Sequence, residues 1–591
     1  MSLLGASLLA VAVGSTVAHA TDYTVSPSGS DTHSGLSTAP WQTIQRALDT
    51  VQAGDTVTVE DGTYAGLACD TVSGAAAAPI VFRSRNRWGA KITSATDGSS
   101  QDFVQFSSCS YIVFDGFEVS GAPRSGIAIL GNEDDGSDAR GVVIQNCNSH
   151  DNGGTTVAGR HDGVFSGFAL DLTIQDNVID TCGEHGIYVS NAADNPSILR
   201  NQVSNTGANC IQINADLSTG GDGLISNWLI EGNVLQNCNG AAAINLDGAI
   251  QGVAANNVIY NAAGGGFTLF QGDGAEASHD NLIVNNTVYN PGGSRAAIQV
   301  ANGADNNVIF NNIFIADATG FEVQRVTNLL HDYNIVSGYE GGSAAAHESD
   351  VDAASLFVDA SGGDLQLASG SAAIDVGVDS YGTCSAPATD VLGAGRPAGA
   401  GYDIGAYEYG ATVPPTGTGG AGGSAGGSGG TGGAGGSAGH SGGTGGAAGS
   451  AGHLGGTGGA AGSAGGSGGM GGAGGSAGIS GVAGQASGAG GSAATGGAGG
   501  STSAGGTGGQ LAGSGGNRPT GSGGITSASG GVGGVGGTGS GPQQTSNSGG
   551  CSCNSAGGPP SGRLAVEIVV ATLAFLALKR RRRRQTTSRA G

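Results

Sequence analysis

The sequence predicts an all-β protein whose main domain is a single-stranded, right-handed parallel β-helix, and a recurring asparagine is the first reason. An Asn that follows or lies within a short segment rich in Ile, Val and Leu occurs seven times. Successive Asn residues of this set are 31, 24, 32, 24, 29 and 26 positions apart. A period of about 20 to 45 residues with strand-like alternation is typical of a solenoid built from one repeated unit. We expect each Asn side chain to bond the turn backbone and the next coil, forming a ladder. The seven residues are Asn146, Asn177, Asn201, Asn233, Asn257, Asn286 and Asn312.

A second observation is a cap at the start of the solenoid. Ile44, Leu48 and Val51 stand at helical spacing within residues 41–51, so a short amphipathic helix can cover the open end of the hydrophobic column. The surrounding segments, Asp22-Tyr-Thr-Val-Ser-Pro, Trp41-Gln-Thr-Ile and Gly62-Thr-Tyr64, resemble the opening of secreted β-helix proteins of the pectate-lyase type. Residues 370–375, 395–397 and 403–409 resemble the closing segment of surface β-helix proteins.

Composition divides the chain into four parts. Residues 1–20 carry an apolar run and end in Ala-His-Ala, which indicates an export signal. Residues 21–410 hold the solenoid. Residues 411–560 are almost entirely Gly, Ala, Ser and Thr, which predicts a disordered, flexible stalk. Residues 561–591 contain a short hydrophobic helix followed by an Arg run, which predicts a C-terminal anchor.

The C-terminal part shows an order of features that resembles a known sorting signal. Cys551-Ser-Cys553 precedes an apolar helix at 564–578, and Arg580 to Arg584 follow it. The arrangement is similar to the C-terminal sorting signal of myxobacterial surface proteins. The resemblance implies export, processing at Cys551 or Cys553, and attachment at the cell surface. A retained single-span anchor is the alternative and gives the same topology.

Charge argues against one class of partner, and cysteine content bears on disulfide bonding. Residues before 411 hold 12 Lys and Arg against 44 Asp and Glu, a formal net charge of −32. Because a surface this acidic repels nucleic acid, we expect no nucleic acid to bind. The same region holds seven Cys, and export permits disulfides. The odd number leaves at least one thiol unpaired within the domain, and Cys182 and Cys238, two coils apart, are too distant for a direct bridge. We expect a monomer.

Counting back from each ladder Asn aligns the strands that precede it. If Ile187, Ile211 and Ile244 point inward, their neighbours point outward. One strand face of such a solenoid can form a long groove for a polymer, and amide, hydroxyl and carboxylate side chains suit sugar hydroxyls. The first outward column contains Phe165, Tyr188, Gln212 and Asn245, and the second contains Ser190, Asn214 and Asp247.

The same alignment stacks His161-Asp162 over Glu184-His185, with Arg124-Ser125 one coil before and Ala208-Asn209 one coil after. Two His, two carboxylates and Tyr188 form an acid/base group of the kind that moves a proton on a sugar. The alternative is structural: Asp162 and Glu184 would bond the neighbouring His residues and the turn backbone. We therefore predict a catalytic set of His161, Asp162, Glu184, His185 and Tyr188, and a substrate-binding set of Arg124, Arg160, Gln212, Asn214, Asn245 and Asp247.

Arg160-His-Asp162, followed by residues 172–178 and Glu184-His-Gly-Ile-Tyr188, resembles the catalytic stretch of alginate C5-epimerases and related lyases. That family carries Asp-Pro-His-Asp; here His161 and Asp162 match its second half, and Ala158-Gly-Arg160 replaces the Asp-Pro half. The resemblance implies that His161 and Tyr188 transfer protons. It also implies that Asp162 orients a His and that Arg160 or Arg124 neutralises a uronate carboxylate.

Other chemistries are weighed against this one. The two lysines, Lys91 and Lys579, lie far from the middle coils, which excludes a lysine base there. An acidic stretch at 133–138 is either a calcium site or a solvated insertion, and no other cofactor or metal is predicted. The sequence predicts a polysaccharide lyase or C5-epimerase at the cell surface. The alternatives are a non-catalytic glycan-binding module and a glycoside hydrolase that uses Asp247, Asp216 and Asp273.

Overall fold

The computed structural model describes residues 20–132, 139–154 and 160–413. In this part of the chain nearly every strand belongs to one of three long parallel sheets, and each coil contributes one strand to each sheet in turn. Within each sheet the neighbouring strands come from successive coils and pair in parallel. The fold is therefore the predicted right-handed parallel β-helix.

The first sheet has twelve strands and the other two have eleven each. The first sheet contains Asp22–Val25, Thr56–Val59, Ile80–Ser84, Ile112–Asp115, Val143–Gln145, Thr173–Gln175, Ser197–Leu199, Leu229–Glu231, Val253–Ala255, Leu282–Val284, Val308–Phe310 and Leu330–Asp332. The second contains Gly62–Ala65, Ala90–Ser94, Glu118–Ser120, Asn148–Asn152, Val178–Cys182, Gln202–Thr206, Val234–Cys238, Val258–Tyr260, Thr287–Asn290, Ile313–Ala316 and Ile335–Val336. The third contains Leu67–Asp70, Val104–Ser107, Ile127–Leu130, Val164–Gly167, Ile187–Ser190, Ile211–Asn214, Ala242–Asp247, Gly265–Phe270, Ile298–Ala301, Phe321–Gln324 and Tyr339–Glu340.

Short elements complete the described chain. One α-helix covers Ile44–Leu48 and two 3₁₀ turns cover Leu217–Thr219 and Ala353–Ser355. Ile225–Ser226 pairs in parallel with Ala249–Ile250, and two antiparallel pairs join Phe357–Asp359 with Asp364–Leu367 and Ser380–Tyr381 with Cys384–Ser385.

The helical cap is confirmed. The side chain of Thr43 accepts a hydrogen bond from the backbone N–H of Arg46, which satisfies one of the open donors at the helix start. Ile44 and Leu48 are buried in the main hydrophobic cluster, and Val51 joins them after the helix ends. The cap therefore closes the column of inward-facing residues at its first coil.

The asparagine ladder is also confirmed, with a corrected start. From Asn177 onward each ladder Asn is buried, and both its backbone N–H and its side-chain N–H donate to the Oδ1 of the Asn one coil on, as Asn201 does to Asn233 at 2.8 and 3.0 Å. The prediction that Asn146 is the first rung is wrong. Ile144 pairs with Ile174, so Cys147 occupies the ladder position, and its N–H donates to Asn177. The ladder continues one coil further than predicted, to Asn334.

Two disulfides join adjacent coils, Cys69 to Cys109 and Cys210 to Cys238. Cys182, Thr206 and Cys238 stand in register on three successive strands of the second sheet, as the sequence predicts. Cys182 is a buried thiol outside both disulfides, which agrees with the expected unpaired thiol.

Removing the second disulfide with a Cys210→Ala/Cys238→Ala double substitution should lower the free energy of unfolding by about 3 kcal/mol. The bridge closes a loop with a sequence separation of 28 residues, and cross-linking a loop of that size restricts the unfolded chain by roughly this amount. Chemical denaturation of the oxidised wild type and the variant measures the difference. A change of less than about 1 kcal/mol would contradict the expectation.

The closing segment packs against the outside of the last coils. Arg396 donates to Glu408 at 2.8 Å and to the side chain of Asn256 at 3.2 Å, and the side chains of Arg396 and Glu408 are both fully buried. Asn285 donates to the backbone carbonyl of Asp403 at 3.0 Å. These contacts tie residues 396–408 to coils more than 100 positions earlier in the chain.

Several predicted features lie outside the described residues. They are the export signal, the acidic stretch at 133–138, the stalk, Cys551, Cys553, the hydrophobic helix and the Arg run. Within the described ranges, no helix is both long enough and apolar enough to cross a membrane.

Candidate functional site

The strand alignment that places the candidate groove is correct. In the third sheet Val164, Ile187, Ile211 and Ile244 stand in register on four successive strands and are buried. Their neighbours therefore face away from the core, as the two-residue period of a strand requires. The first outward column holds Phe165, Tyr188, Gln212 and Asn245, and the second holds Ser190, Asn214 and Asp247, as predicted.

The outward face of the third sheet is polar and yet shielded. Gln212, Asn214 and Asn245 are each less than 9% exposed although they face away from the core. Thr268 extends the first column by one coil and is also buried, and Gln299 follows it. We call this shielded polar face of the third sheet the third-sheet groove.

Besides the two outward columns, another column of polar residues lies at the corner before the third sheet. It consists of Asp102, Ser125, Asp162, His185 and Asn209, one from each successive coil, as the hydrogen bonds between coils establish. Four members accept a hydrogen bond from the backbone N–H of the next coil: Asp102 from Ser125, Asp162 from His185, His185 from Asn209, and Asn209 from Ala242. This corner column is a structural ladder as well as a candidate site.

Asp162 is the most deeply placed carboxyl group of the column. Its side chain is 0% exposed, and Oδ1 accepts from the backbone N–H of His185 at 3.1 Å. Oδ2 has no hydrogen-bond partner among the described residues. Burial raises the pKa of Asp162 well above its usual value, which favours the neutral acid. Asp162 therefore acts first as a support for His185.

His185 is held in one tautomer. Its Nδ1 accepts from the backbone N–H of Asn209 at 3.2 Å, so the proton of the neutral ring is on Nε2. Burial lowers the pKa of His185 to about 4, so the ring is neutral at physiological pH. The arrangement makes Nε2 a hydrogen-bond donor.

Tyr188 lies against the rings of His185 and Phe165, with centroid distances of 5.0 and 5.4 Å. Its hydroxyl oxygen accepts from the side-chain amide of Asn214 at 3.3 Å. Burial raises the pKa of the Tyr188 phenol. The side chain is therefore a protonated phenol at physiological pH.

Asp102 organises the two arginines and is a residue that the sequence analysis missed. Its carboxylate is fully buried and accepts from Arg124 at 2.9 Å and from Arg160 at 3.0 Å. The guanidinium of Arg160 lies 4.1 Å from the centroid of the Phe165 ring. Two guanidinium groups share one carboxylate, so the group carries a net charge of +1 within a domain that is otherwise strongly acidic.

These contacts join into one unit, which we call the Tyr188 cluster: Asp102, Arg160, Phe165, His185 and Tyr188. The sequence alignment started one coil later, at Arg124, and so did not include Asp102, although Asp102 continues the corner column.

His161 and Glu184 lie at the corner itself, each three residues before a strand of the third sheet. Glu184 Oε2 accepts from the backbone N–H of His161 at 3.1 Å and lies 3.6 Å from its Nδ1. The His161 Cβ fits against Gly153 and Gly183, where an added Cβ would approach it to 2.5 and 3.1 Å. The predicted structural role of the two carboxylates is thus present for both Asp162 and Glu184.

Two of the remaining predicted carboxylates accept backbone N–H groups, Asp247 from a loop of the next coil and Asp216 from its own turn. Asp247 is 2% exposed, and its oxygens accept from the backbone N–H groups of Gly272 and Asp273 at 2.8 and 2.7 Å. Asp216 accepts from the N–H of Ser218 at 2.8 Å. Both carboxylates therefore stabilise loops. Across the described ranges, no three His, Cys, Asp or Glu side chains gather as a metal site would require.

Comparison with known proteins identifies the repeat. The model of the right-handed β-helix region matches residues 81–219. The parallel sheets observed at these residues agree with that description. Over 119 residues the chain is 36% identical to pectate lyase PEL9 of Emericella nidulans, which is 20% of this chain and 24% of that protein. The match thus spans about a quarter of the length of that relative.

Solved structures show the same kind of likeness at low identity. Pectate lyase Pel9A is 15% identical, with a TM-score of 0.43 over 66% of this chain and 96% of that one. XylC in complex with xylose is 12% identical, with a TM-score of 0.44 over 66% and 98%. An alginate lyase from Paenibacillus sp. str. FPU-7 is 18% identical, with a TM-score of 0.37 over 55% and 99%. All three TM-scores lie below 0.5, so nothing about the chemistry of this chain follows from them.

Proposed function

We propose that this protein acts on a uronate-containing polysaccharide, by β-elimination or C5-epimerisation, in the third-sheet groove. The observation that carries the proposal is the Tyr188 cluster, where a positive group, a neutral imidazole donor and a protonated phenol adjoin one polar groove. The part-length match to a pectate lyase supports a polysaccharide substrate.

The positive group and the imidazole account for binding. Arg160 and Arg124 share the single charge of Asp102, so one positive charge remains to attract a uronate carboxylate. The Nε2–H of His185 can donate to the same carboxylate without adding charge. Both interactions strengthen as the carboxylate takes up electron density, which is the condition for catalysis at the carbon beside it.

Proton transfer is assigned to His161 and Tyr188. In β-elimination His161 takes the C5 proton, the electron pair forms the C4–C5 double bond, and the C4–O bond breaks. The departing oxygen receives the Tyr188 proton. In epimerisation the C4–O bond stays intact, and Tyr188 returns a proton to the opposite face of C5. Asp162 holds the His185 backbone in position and plays no part in the proton transfer.

The assay is ultraviolet absorbance of the unsaturated uronate product, with the full-length protein on pectate and alginate. Uronate stereochemistry is followed by NMR in parallel. A rise in absorbance establishes elimination, and an altered stereochemistry without a rise establishes epimerisation. No change by either method on any polyuronate would overturn the proposal.

A second candidate, a non-catalytic glycan-binding module, is favoured by one observation. Asp162 and Glu184 both accept backbone N–H groups, so the carboxylates need no chemical role. This candidate predicts retention of the protein on a polyuronate column with no product formed.

The raised pKa of Tyr188 predicts the alkaline side of the pH profile. An ordinary phenol loses its proton near pH 10. Because burial raises this pKa, the acid form persists as pH increases, and it is lost only above that value. We therefore expect kcat/KM not to fall between pH 8 and about pH 10. A fall beginning below pH 9 would show that another group supplies the proton.

The proposal includes the location. We infer that the protein is exported and held at the cell surface by its C-terminal part. The apolar N-terminal run and the cysteine and arginine order at the C-terminus support this, and two disulfides suit an oxidising compartment.

A further inference from the structure

A third polar ladder runs along the surface at the end of the second sheet, where its strands turn toward the third sheet. Asn261 donates from its side chain to Asn237 at 2.7 Å, Asn237 donates to Asn205 at 2.9 Å, and Asn205 donates to Asp180 at 2.7 Å. All three Asn residues have φ between 54° and 56°, a conformation that Asn tolerates better than most residues. Unlike the buried ladder, this one faces solvent at Asn205 and Asn261.

The side-chain amides of the surface ladder have donors and acceptors that their bonds within the ladder do not use. A side-chain amide has two N–H donors and an oxygen with two lone pairs. Each Asn uses one N–H and, for Asn205 and Asn237, one lone pair on its neighbours in the ladder. The second N–H of each amide recurs once per coil, at a spacing of about 4.8 Å. The result is a regular row of donors and acceptors along the solenoid axis.

The row ends in a cavity. A cavity of about 270 Å³ is lined by Asn237, Asn239 and Asn261 together with Ala262, Ala263, Pro291 and Gly292. The side-chain N–H of Asn239 donates to the backbone carbonyl of Thr206, and this bond fixes the orientation of the amide. The side-chain oxygen of Asn239 takes no part in that bond. The lining contains amides and small apolar groups and no charged side chain.

We propose that this corner is a second carbohydrate site, which binds a neutral, hydroxyl-rich polysaccharide. Amides can both donate to and accept from hydroxyl groups, and a repeating row of them matches a repeating polymer better than a single small molecule. The absence of a cation in the cavity lining, within a domain of net charge −32, disfavours a polyanion. The site is distinct from the Tyr188 cluster, whose local positive charge suits a uronate.

The position of the cavity relates the second carbohydrate site to the third-sheet groove. The cavity lies at the corner between the second and third sheets, the same corner that carries His161 and Glu184 several coils earlier. A neutral glycan held there keeps the protein beside the rim of the third-sheet groove. Substrate would then be presented where neutral and acidic glycans occur together.

The test uses Asn237→Gly/Asn261→Gly in the full-length protein. Glycine suits the positive φ at both positions, so the amides are removed without backbone strain. The matched control is Asn302→Gly/Asn328→Gly, two exposed residues with φ of 54° on other turns. The probes are cello-, xylo- and manno-oligosaccharides in titration calorimetry, with a polygalacturonate oligomer as the charged comparison.

We expect at least one neutral probe to bind the wild type and the control variant equally, and to bind the Asn237/Asn261 variant at least tenfold more weakly. Tyr188→Phe should leave this binding unchanged, which separates the corner from the groove. The proposal is overturned if no neutral probe binds the wild type, if the double variant binds as well as the control, or if only the charged oligomer is affected.

Discussion

Replacing Tyr188 by Phe should reduce turnover of the polyuronate substrate by about 10²- to 10⁴-fold, the usual contribution of one general acid. The substitution removes the hydroxyl group and keeps the ring that packs between His185 and Phe165. Packing and stability should therefore change little, and kcat should fall much more than the affinity for the polymer. The measurement is initial rate against substrate concentration, with thermal unfolding as a check on folding.

Tyr289→Phe is the matched control for this experiment. Tyr289 lies on the second sheet, stacks on Tyr260 and has no place in the third-sheet groove. Its substitution should leave the rate within about twofold of wild type, since Phe keeps the ring that packs on Tyr260 and Phe357 and the position lies away from the groove. If Tyr188→Phe is as active as Tyr289→Phe, the groove does not use a phenol as an acid, and the glycan-binding module becomes the better account.

Replacing Asn257 by Ala should lower the free energy of unfolding by on the order of 5 kcal/mol. The Asn257 side chain is fully buried and takes part in four hydrogen bonds, two as acceptor from Asn233 and two as donor, to Ile230 and Asn286. Alanine removes all four and leaves buried backbone and amide groups without partners, each of which costs about 1 to 3 kcal/mol. Denaturant unfolding measures the change.

Asn239→Ala is the control for the ladder substitution. Asn239 is exposed and donates one hydrogen bond, to Thr206, so its loss should cost about 1 kcal/mol or less. Similar losses in the two variants would mean that the buried ladder contributes no more than a surface amide. A loss confined to Asn257→Ala would show that the ladder holds adjacent coils together.

The fold followed from the sequence because its cause is repetitive. Each coil must present inward Ile, Val or Leu residues and a turn that buries its backbone, so the same pattern returns every coil and can be aligned by counting. Ile187, Ile211 and Ile244 were placed correctly in this way. The same method failed at Asn146, because the coil before Asn177 has Cys147 at the ladder position and a neighbouring Asn imitates the pattern.

The candidate site was predicted in part. Register alone was enough to stack Asp162 on His185 and to align Tyr188 with Gln212. Register could not decide between a catalytic and a structural role for Asp162, because the direction of a corner side chain depends on the contacts around it. Asp102 was missed for a related reason: its partners Arg124 and Arg160 lie 22 and 58 positions away, in coils of unequal length.

The solenoid, the cap, the buried asparagine ladder and the polar face of the third sheet can all be predicted from the sequence, since each depends on a local period. The tautomer of His185, the sharing of Asp102 by two arginines and the surface row of amides that ends in a cavity become visible in the folded chain alone. These depend on which side chains meet across coils, and burial then fixes their charge and hydrogen bonding. A period places a residue on a face, and its neighbours in space determine its chemistry.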